Sequence, residues 1–273
     1  MLRPRAEVPG ILKLALALLA IPASFIALLA LAQTALIFPR WAMPGQGVAL
    51  PAEARMREVT AGSGHRLEGI ELPGTDPDAP VILGFGGNAW PADALALALH
   101  RWLPAHRVVV FHYRGYGPSE GRPSARALLE DALVIHDALE AEAIVAVGLS
   151  IGAGPAAHLA AARDLAGLVL VTPFDSLTEL ARSHYPWAPV RMLLRHRMDV
   201  AGDLAQTRAP VAIIAGARDT LVPPERTAPL REVAGRLVLD RVIEAGHNDL
   251  YDHPDFAPAL RAALARITDA PED

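Results

Sequence analysis

The sequence contains no cysteine, which excludes disulfide frameworks, thiolate zinc sites and cysteine nucleophiles together. It has no basic block either. Against 30 Asp+Glu stand 25 Lys+Arg, a formal net charge of −5 with histidine neutral, and this acidic balance offers no electrostatic footprint for nucleic acid. The 21 glycines and 24 prolines among 273 residues fall short of a collagen-like or low-complexity chain. What is present is 52% hydrophobic against 20% charged residues, with mean hydropathy +0.27, a composition that excludes intrinsic disorder.

The longest gap in charge runs over residues 14–38, where only Leu, Ala, Ile, Phe and a few small or polar residues occur. As a helix this run spans ~38 Å at 1.5 Å per residue, enough for the ~30 Å hydrocarbon core of a bilayer, and Pro22 and Gln33 are tolerable within a tilted or kinked span. Arg3, Arg5 and Lys13 precede it and Arg40 stands close behind. The bias of basic residues puts the amino end in the cytoplasm and the remainder on the extracytoplasmic side. Ala30-Leu31-Ala32 has the small-x-small form of a signal-peptide cleavage site, so a cleaved signal, leaving a secreted or periplasmic protein, is the alternative. The run is longer than the ~7–15 residues of a usual signal core, which favours an uncleaved anchor.

The organisation expected is a membrane anchor over residues 1–38, a linker over 39–57 that begins Pro/Gly-rich, and one domain over 58–273. In that domain short apolar runs at 81–85, 108–112, 144–149, 168–172 and 211–215 are bounded by Gly or Pro, as strands covered on both faces are. Helical stretches alternate with them at 91–103, 125–140, 151–162, 224–234 and 254–267. The alternation predicts an α/β fold, a mostly parallel twisted sheet with helices on both faces, whose sites lie beyond the carboxyl ends of the strands.

Three such ends carry chemistry. Gly148-Leu149-Ser150-Ile151-Gly152 closes one apolar run and opens an alanine-rich stretch, the strand-to-helix turn that lifts a serine hydroxyl above a sheet edge. A serine needs a base. His247, on a loop after the apolar run 237–243 with Gly246 before it, is that base. His112, at a strand end, is a minor competitor; His158 reads as packing, and His65, His100, His106, His136, His184, His196 and His253 read as solvated. Asp219, past the run 211–215, orients the imidazole, with Asp175 as its alternative and Asp249 as a tie within the His247 loop. The order Ser150, Asp219, His247 is that of the α/β-hydrolases rather than of other triad enzymes. An oxyanion hole requires main-chain N–H groups, one at Ile151 and one in the loop Gly86-Gly87-Asn88-Ala89.

With these residues in place, the chain resembles the α/β-hydrolase superfamily, and within it the membrane-anchored serine-hydrolase branch of abhydrolase-domain proteins with one amino-terminal span. Tyr113-Arg114-Gly115-Tyr116-Gly117-Pro118-Ser119-Glu120-Gly121-Arg122-Pro123-Ser124 is similar to that branch's Y-R-G-Y-G-x-S-x-G-x-P-S segment. Tyr185-Pro186 with Pro189-Val190 resembles its short lid, residues 216–223 its G-x-x-D-x-x-V-P, and Gly246-His247-Asn248-Asp249 its G-H-N-D. Two positions depart from the pattern: Gly86 stands where the branch has histidine, and His112 where it has aspartate or similar. The resemblance implies Asn88 as the second oxyanion donor, through its main chain, with loop support from the histidine ring lost.

The expected activity is hydrolysis of carboxylic esters or thioesters through an acyl-enzyme, with a small-molecule ester or lipid as substrate and with neither cofactor nor metal. Residues 174–205 leave room for a lid with apolar Tyr185, Trp187, Met192, Leu193 and Leu194 beside Arg182, Arg191, Arg195 and Arg197, a mixture suited to a membrane surface or an acyl chain. A serine peptidase is the enzymatic alternative, and a non-catalytic membrane-anchored binding or scaffold protein the alternative of another class.

Overall fold

A computed structural model describes residues 10–43 and 48–270. Arg3 and Arg5 of the basic leader and residues 44–47 of the connector lie outside them, as does the side chain of Lys13. Eight strands form one sheet: β1 (Arg55–Thr60), β2 (Arg66–Leu72), β3 (Val81–Phe85), β4 (Val108–Phe111), β5 (Ile144–Leu149), β6 (Gly167–Val171), β7 (Val211–Gly216) and β8 (Leu237–Ile243). Their order is β1-β2-β4-β3-β5-β6-β7-β8. Strands β3 to β8 are parallel, while β2 runs antiparallel to both β1 and β4. The expectation of a mostly parallel sheet therefore holds, with ends moved by a residue at β4, β6 and β7.

The hairpin β1–β2 was not among the expected strands. β1 is an edge strand whose residues are exposed or half-buried, so burial imposes no apolar run on Arg-Met-Arg-Glu-Val-Thr. The inner strands β3, β4, β5, β6 and β7 are buried at every position, which accounts for their continuous Val, Ile and Leu.

Helices α1 (Gly10–Ile37), α2 (Ala92–Trp102), α3 (Ala125–Asp137), α4 (Ala153–Ala162), α5 (Leu177–His184), α6 (Val190–Leu193), α7 (Val200–Leu204), α8 (Pro224–Val233) and α9 (Phe256–Thr268) complete the described residues. Alternate residues of β3 divide the core. Val81, Leu83 and Phe85 pack with Leu128 of α3 and Ala156 and Leu159 of α4, whereas Ile82 packs with Leu95 and Leu99 of α2 and Leu260 of α9. Each fully buried Val, Leu or Ile contributes roughly 1.5–3 kcal/mol of transfer free energy. Helix α3 starts where the Ser124 hydroxyl accepts from Ala127 N–H at 3.0 Å and ends at Asp137, short of the expected residue 140. Pro224 occupies the first turn of α8, but Pro91 precedes α2 as its cap. The last helix begins at Phe256 rather than 254, after a 3-10 turn over Asp249–Asp252.

The charge-free run lies in the single helix α1, whose Ala20–Ile37 portion has mean hydropathy 2.0 and is long and apolar enough to cross a membrane. Leu18, Ile21, Phe25, Leu28 and Leu31 are exposed along it. Another face turns toward the domain: Ile26, Leu29, Ala30, Gln33 and Ile37, at helical spacing, are half-buried or buried. Phe38, just past the helix, is buried in the core.

Candidate active site

Ser150, Asp219 and His247 come from the carboxyl ends of β5, β7 and β8. His247 Nε2 lies 2.9 Å from Ser150 Oγ, and His247 Nδ1 lies 2.7 Å from Asp219 Oδ2. All three are buried, Ser150 and His247 at 9% exposure and Asp219 at 4%. The other carboxylate oxygen of Asp219 accepts from Leu221 N–H at 2.9 Å and Val222 N–H at 2.7 Å. The carboxylate is thus fixed by its own loop, and one oxygen is left to receive the imidazole Nδ1–H.

Backbone geometry forces the serine outward. Ser150 has φ 54°, left-handed for a residue with a side chain, a strain of about 1–3 kcal/mol that the surroundings must hold. Gly148 and Gly152 make the turn possible by proximity: a Cβ at Gly152 would stand 2.1 Å from Phe85 O, and one at Gly148 2.6 Å from Gly152 O. Residues Ser150–Gly152 form a 3-10 turn leading into α4, so the helix begins at Ala153 rather than 151.

The loop Gly86-Gly87-Asn88-Ala89 runs beside the serine; a Cβ at Gly87 would lie 3.7 Å from Ser150 Cβ. Asn88 is exposed and Ala89 has φ 57°. Sequence reasoning missed the support this loop has. Tyr113 Oη donates to Gly86 O at 2.7 Å, and burial drives the Tyr113 phenol well above its ordinary pKa, which keeps the donor proton in place. Tyr113 stood in the quoted Y-R-G-Y segment; only the fold reveals that its ring reaches the glycine that replaces histidine.

Asp175, Asp249 and His158 are engaged elsewhere, and His112 has no partner at its buried Nδ1. Asp175 pairs with Arg226 at 3.1 Å and accepts from Ser176 N–H at 2.7 Å. Asp249 folds against its own loop, where a Cβ on Gly246 would meet Oδ1 at 2.7 Å. His112 is partly buried, which lowers its pKa against the pull of Asp93 and Glu68, and its place is beside Gly86 and Trp90. His158 meets Asp203 at 3.4 Å, a hydrogen bond that raises its pKa. His196 corrects the expectation of a solvated ring. It is 8% exposed, its Nε2 lies 2.8 Å from Thr34 Oγ1 of α1, Phe38 meets it edge-on, and burial with nearby Arg195 lowers its pKa. Among the described residues no group of three or more His, Asp or Glu is arranged to hold a metal ion.

The region between β6 and β7 holds the short helices α5, α6 and α7, and α5 and α6 face α1. Gln33 of α1 donates to Leu193 O at 3.1 Å and accepts from Arg195 N–H at 2.7 Å. Arg195 Nη2 donates to Ala30 O at 3.1 Å, and Phe25 stacks on Trp187 at 5.9 Å. The segment read as an anchor is also joined to the lid.

Comparison with known proteins agrees with this architecture. The family model of the α/β hydrolase fold matches residues 81–209. An uncharacterized protein of Mycobacterium tuberculosis is 37% identical over 237 residues, spanning 81% of this chain and 83% of its own. The lysophosphatidylserine lipase ABHD12 of Danio rerio is 29% identical over 182 residues, covering 58% of this chain and 48% of the lipase, so the match spans about half of that relative. Among solved structures, the Pyrococcus furiosus esterase Pf2001 superposes with TM-score 0.66 at 17% identity, over 82% of this chain and 98% of the esterase. A membrane phospholipase A described as a bacterial virulence factor covers 95% of this chain and 99% of its own, with TM-score 0.60 and 16% identity. At these identities the two structures speak for the fold.

Proposed function

The chain belongs to the α/β-hydrolase family, and from that premise we propose that it is a membrane-anchored serine hydrolase cleaving carboxylic ester or thioester bonds, with lipids as its substrate class. The observation that carries this reading is the continuous line of contacts from Asp219 Oδ2 through His247 to Ser150 Oγ, at 2.7 and 2.9 Å. His247 Nε2 takes the hydroxyl proton as Ser150 Oγ attacks the carbonyl carbon. Asp219 holds the Nδ1–H tautomer and stabilises the imidazolium. The N–H groups of Ile151 and Asn88 receive the oxyanion, each such donor contributing ~10²–10³ in rate. The imidazolium then returns its proton to the departing alkoxide or thiolate, leaving an acyl-serine. Water, deprotonated by the same imidazole, attacks the acyl carbonyl and releases the acid and free Ser150. No step calls on a metal or organic cofactor.

The lipid preference is supported by the apolar helix α1 and by the lysophosphatidylserine lipase among the similar proteins. The helix is read as a retained anchor, because it meets the lid on both sides of the small-x-small site at Ala30-Leu31-Ala32, through Phe25 before it and through Gln33 and Thr34 after it. The basic leader places the amino end in the cytoplasm and the catalytic domain outside it.

The test is labelling of the full chain by a fluorophosphonate probe, which reacts with an activated serine. Wild type is expected to label and to turn over p-nitrophenyl esters faster than peptide amides; Ser150→Ala is expected to lose labelling and at least ~10⁴-fold of kcat. Labelling that persists in Ser150→Ala would place the nucleophile elsewhere, faster amide cleavage would favour a peptidase, and an unlabelled wild type would favour a scaffold.

A further inference from the structure

Between the second half of α1 and the lid lies a cavity of about 290 Å³, at the small end of the ~300–1,000 Å³ range of ligand pockets. Its walls are hydrocarbon: Ile26, Leu29 and Leu36 from α1 face Leu180, Ala181 and Leu193 from α5 and α6. Of the polar lining side chains Gln33, His184 and Tyr185, the first two are already engaged, and Tyr185 lies at the exposed margin. The Gln33 carboxamide joins α1 to Leu193 and Arg195, and His184 Nε2 donates to Leu221 O at 2.8 Å. A ligand with polar groups along its length would find few partners here, whereas an alkyl chain would strip none of the engaged groups of its partner and leave the exposed Tyr185 hydroxyl to solvent.

The position of the cavity is as informative as its lining. It is walled by the segment after β6 and by Leu221 in the loop after β7, so it lies beyond the same strand ends as Ser150. Leu221 is two residues past Asp219, and its N–H is bound by that carboxylate. The opposite wall is the helix whose outer face, with Phe25, Leu28 and Leu31 exposed, matches lipid. Wall and lid are held in register by the Gln33, Thr34 and Arg195 hydrogen bonds.

We propose that α1 is one wall of the acyl-chain subsite: the single hydrocarbon tail of a lipid ester lies between residues 26–37 and α5–α6, with its carbonyl directed past Leu221 toward Ser150. The proposal rests on the hydrolase reading and makes the transmembrane helix a determinant of specificity as well as an anchor. Cleavage after Ala32 would remove Ile26 and Leu29 and open the subsite to water.

Two measurements on the full chain in phosphatidylcholine nanodiscs test it. In Ser150→Ala, a palmitic acid carrying a terminal diazirine is photolysed and its adducts are mapped by mass spectrometry. Adducts are expected in both residues 26–37 and 177–194, with those in 177–194 lost when Ile26→Trp or Ala181→Trp fills the cavity. In the Ser150 chain, the ratio of kcat/KM for p-nitrophenyl palmitate to that for the butyrate is expected to fall at least about tenfold in each Trp variant. Adducts absent from 177–194, or unchanged in both Trp variants, would overturn the subsite while ester turnover left the hydrolase reading standing. Adducts blocked by both variants in a chain without ester turnover would support the acyl site and sink the hydrolase reading.

Discussion

Two regions beyond the same strand ends are held together by different means. Around Ser150 the backbone decides: a left-handed φ, two glycines with no space for a Cβ, and a carboxylate fixed by main-chain N–H groups. Where α1 meets the lid, side chains decide: Gln33, Thr34 and Phe25 reach to Leu193, His196 and Trp187, Arg195 reaches back to Gln33 and Ala30, and apolar side chains face one another beside them. On the proposed mechanism the first arrangement would tolerate almost no substitution without losing the chemistry. The second can be altered one side chain at a time while the fold is kept. A hydrolase built this way can change what it accepts without disturbing how it cleaves.

The sharpest break in that comparison comes from the rigid region. Asp219→Asn keeps the shape but favours the wrong imidazole tautomer, and steady-state kinetics are expected to show kcat lowered by about 10⁴-fold. A variant within tenfold of wild type would mean that the carboxylate does not orient His247. Next is the buried pair between Arg114, behind the Tyr113 loop, and Asp131 of α3, where Arg114 Nε donates to Oδ2 at 3.0 Å and both side chains are below 10% exposed. Asp131→Ala leaves an unpaired buried guanidinium and should cost about 3–5 kcal/mol in denaturant unfolding.

The side-chain region should give smaller and more local effects. Gln33→Leu leaves Leu193 O and Arg195 N–H without their partner, at about 1–3 kcal/mol, and hydrogen exchange of residues 190–196 is expected to quicken while inner-strand amides stay protected. Smallest is a pH effect. The folded His196 pKa is lowered from 6.5 by burial, so the unfolded chain takes the proton first. The stability that neutral His196 supplies is therefore full above about 6.5 and declines as pH falls through the lower folded value. Thermal melts should show the advantage of wild type over His196→Gln shrinking on acidification; an advantage that grows would reverse the sign.

What was legible in the sequence follows the same division. Strands β3 to β7 could be read because burial on both faces leaves an unbroken apolar run, and Gly148-Leu149-Ser150-Ile151-Gly152 because a tight turn imposes its glycines locally. The hairpin β1–β2 could not, since an edge strand such as Arg55–Thr60 carries charge along its length. The choice between Asp219 and Asp175 needed three dimensions, because only there does Arg226 take Asp175. His196 was misread for a related reason: its partner Thr34 stands 162 residues away in sequence, on a helix that hydropathy assigns to lipid. The support of Gly86 by Tyr113 was equally hidden, as nothing local records that a ring on β4's loop spans to the next strand's end.

The joint made by Gln33, Thr34 and Phe38 has a kinetic meaning. On the reading proposed above, a nucleophile yoked to a bilayer helix would not search bulk water for its partner; it would drift in the plane of the lamella and meet esters there as neighbours. For such a molecule the relevant concentration is a mole fraction in two dimensions, and inert lipid acts as its diluent.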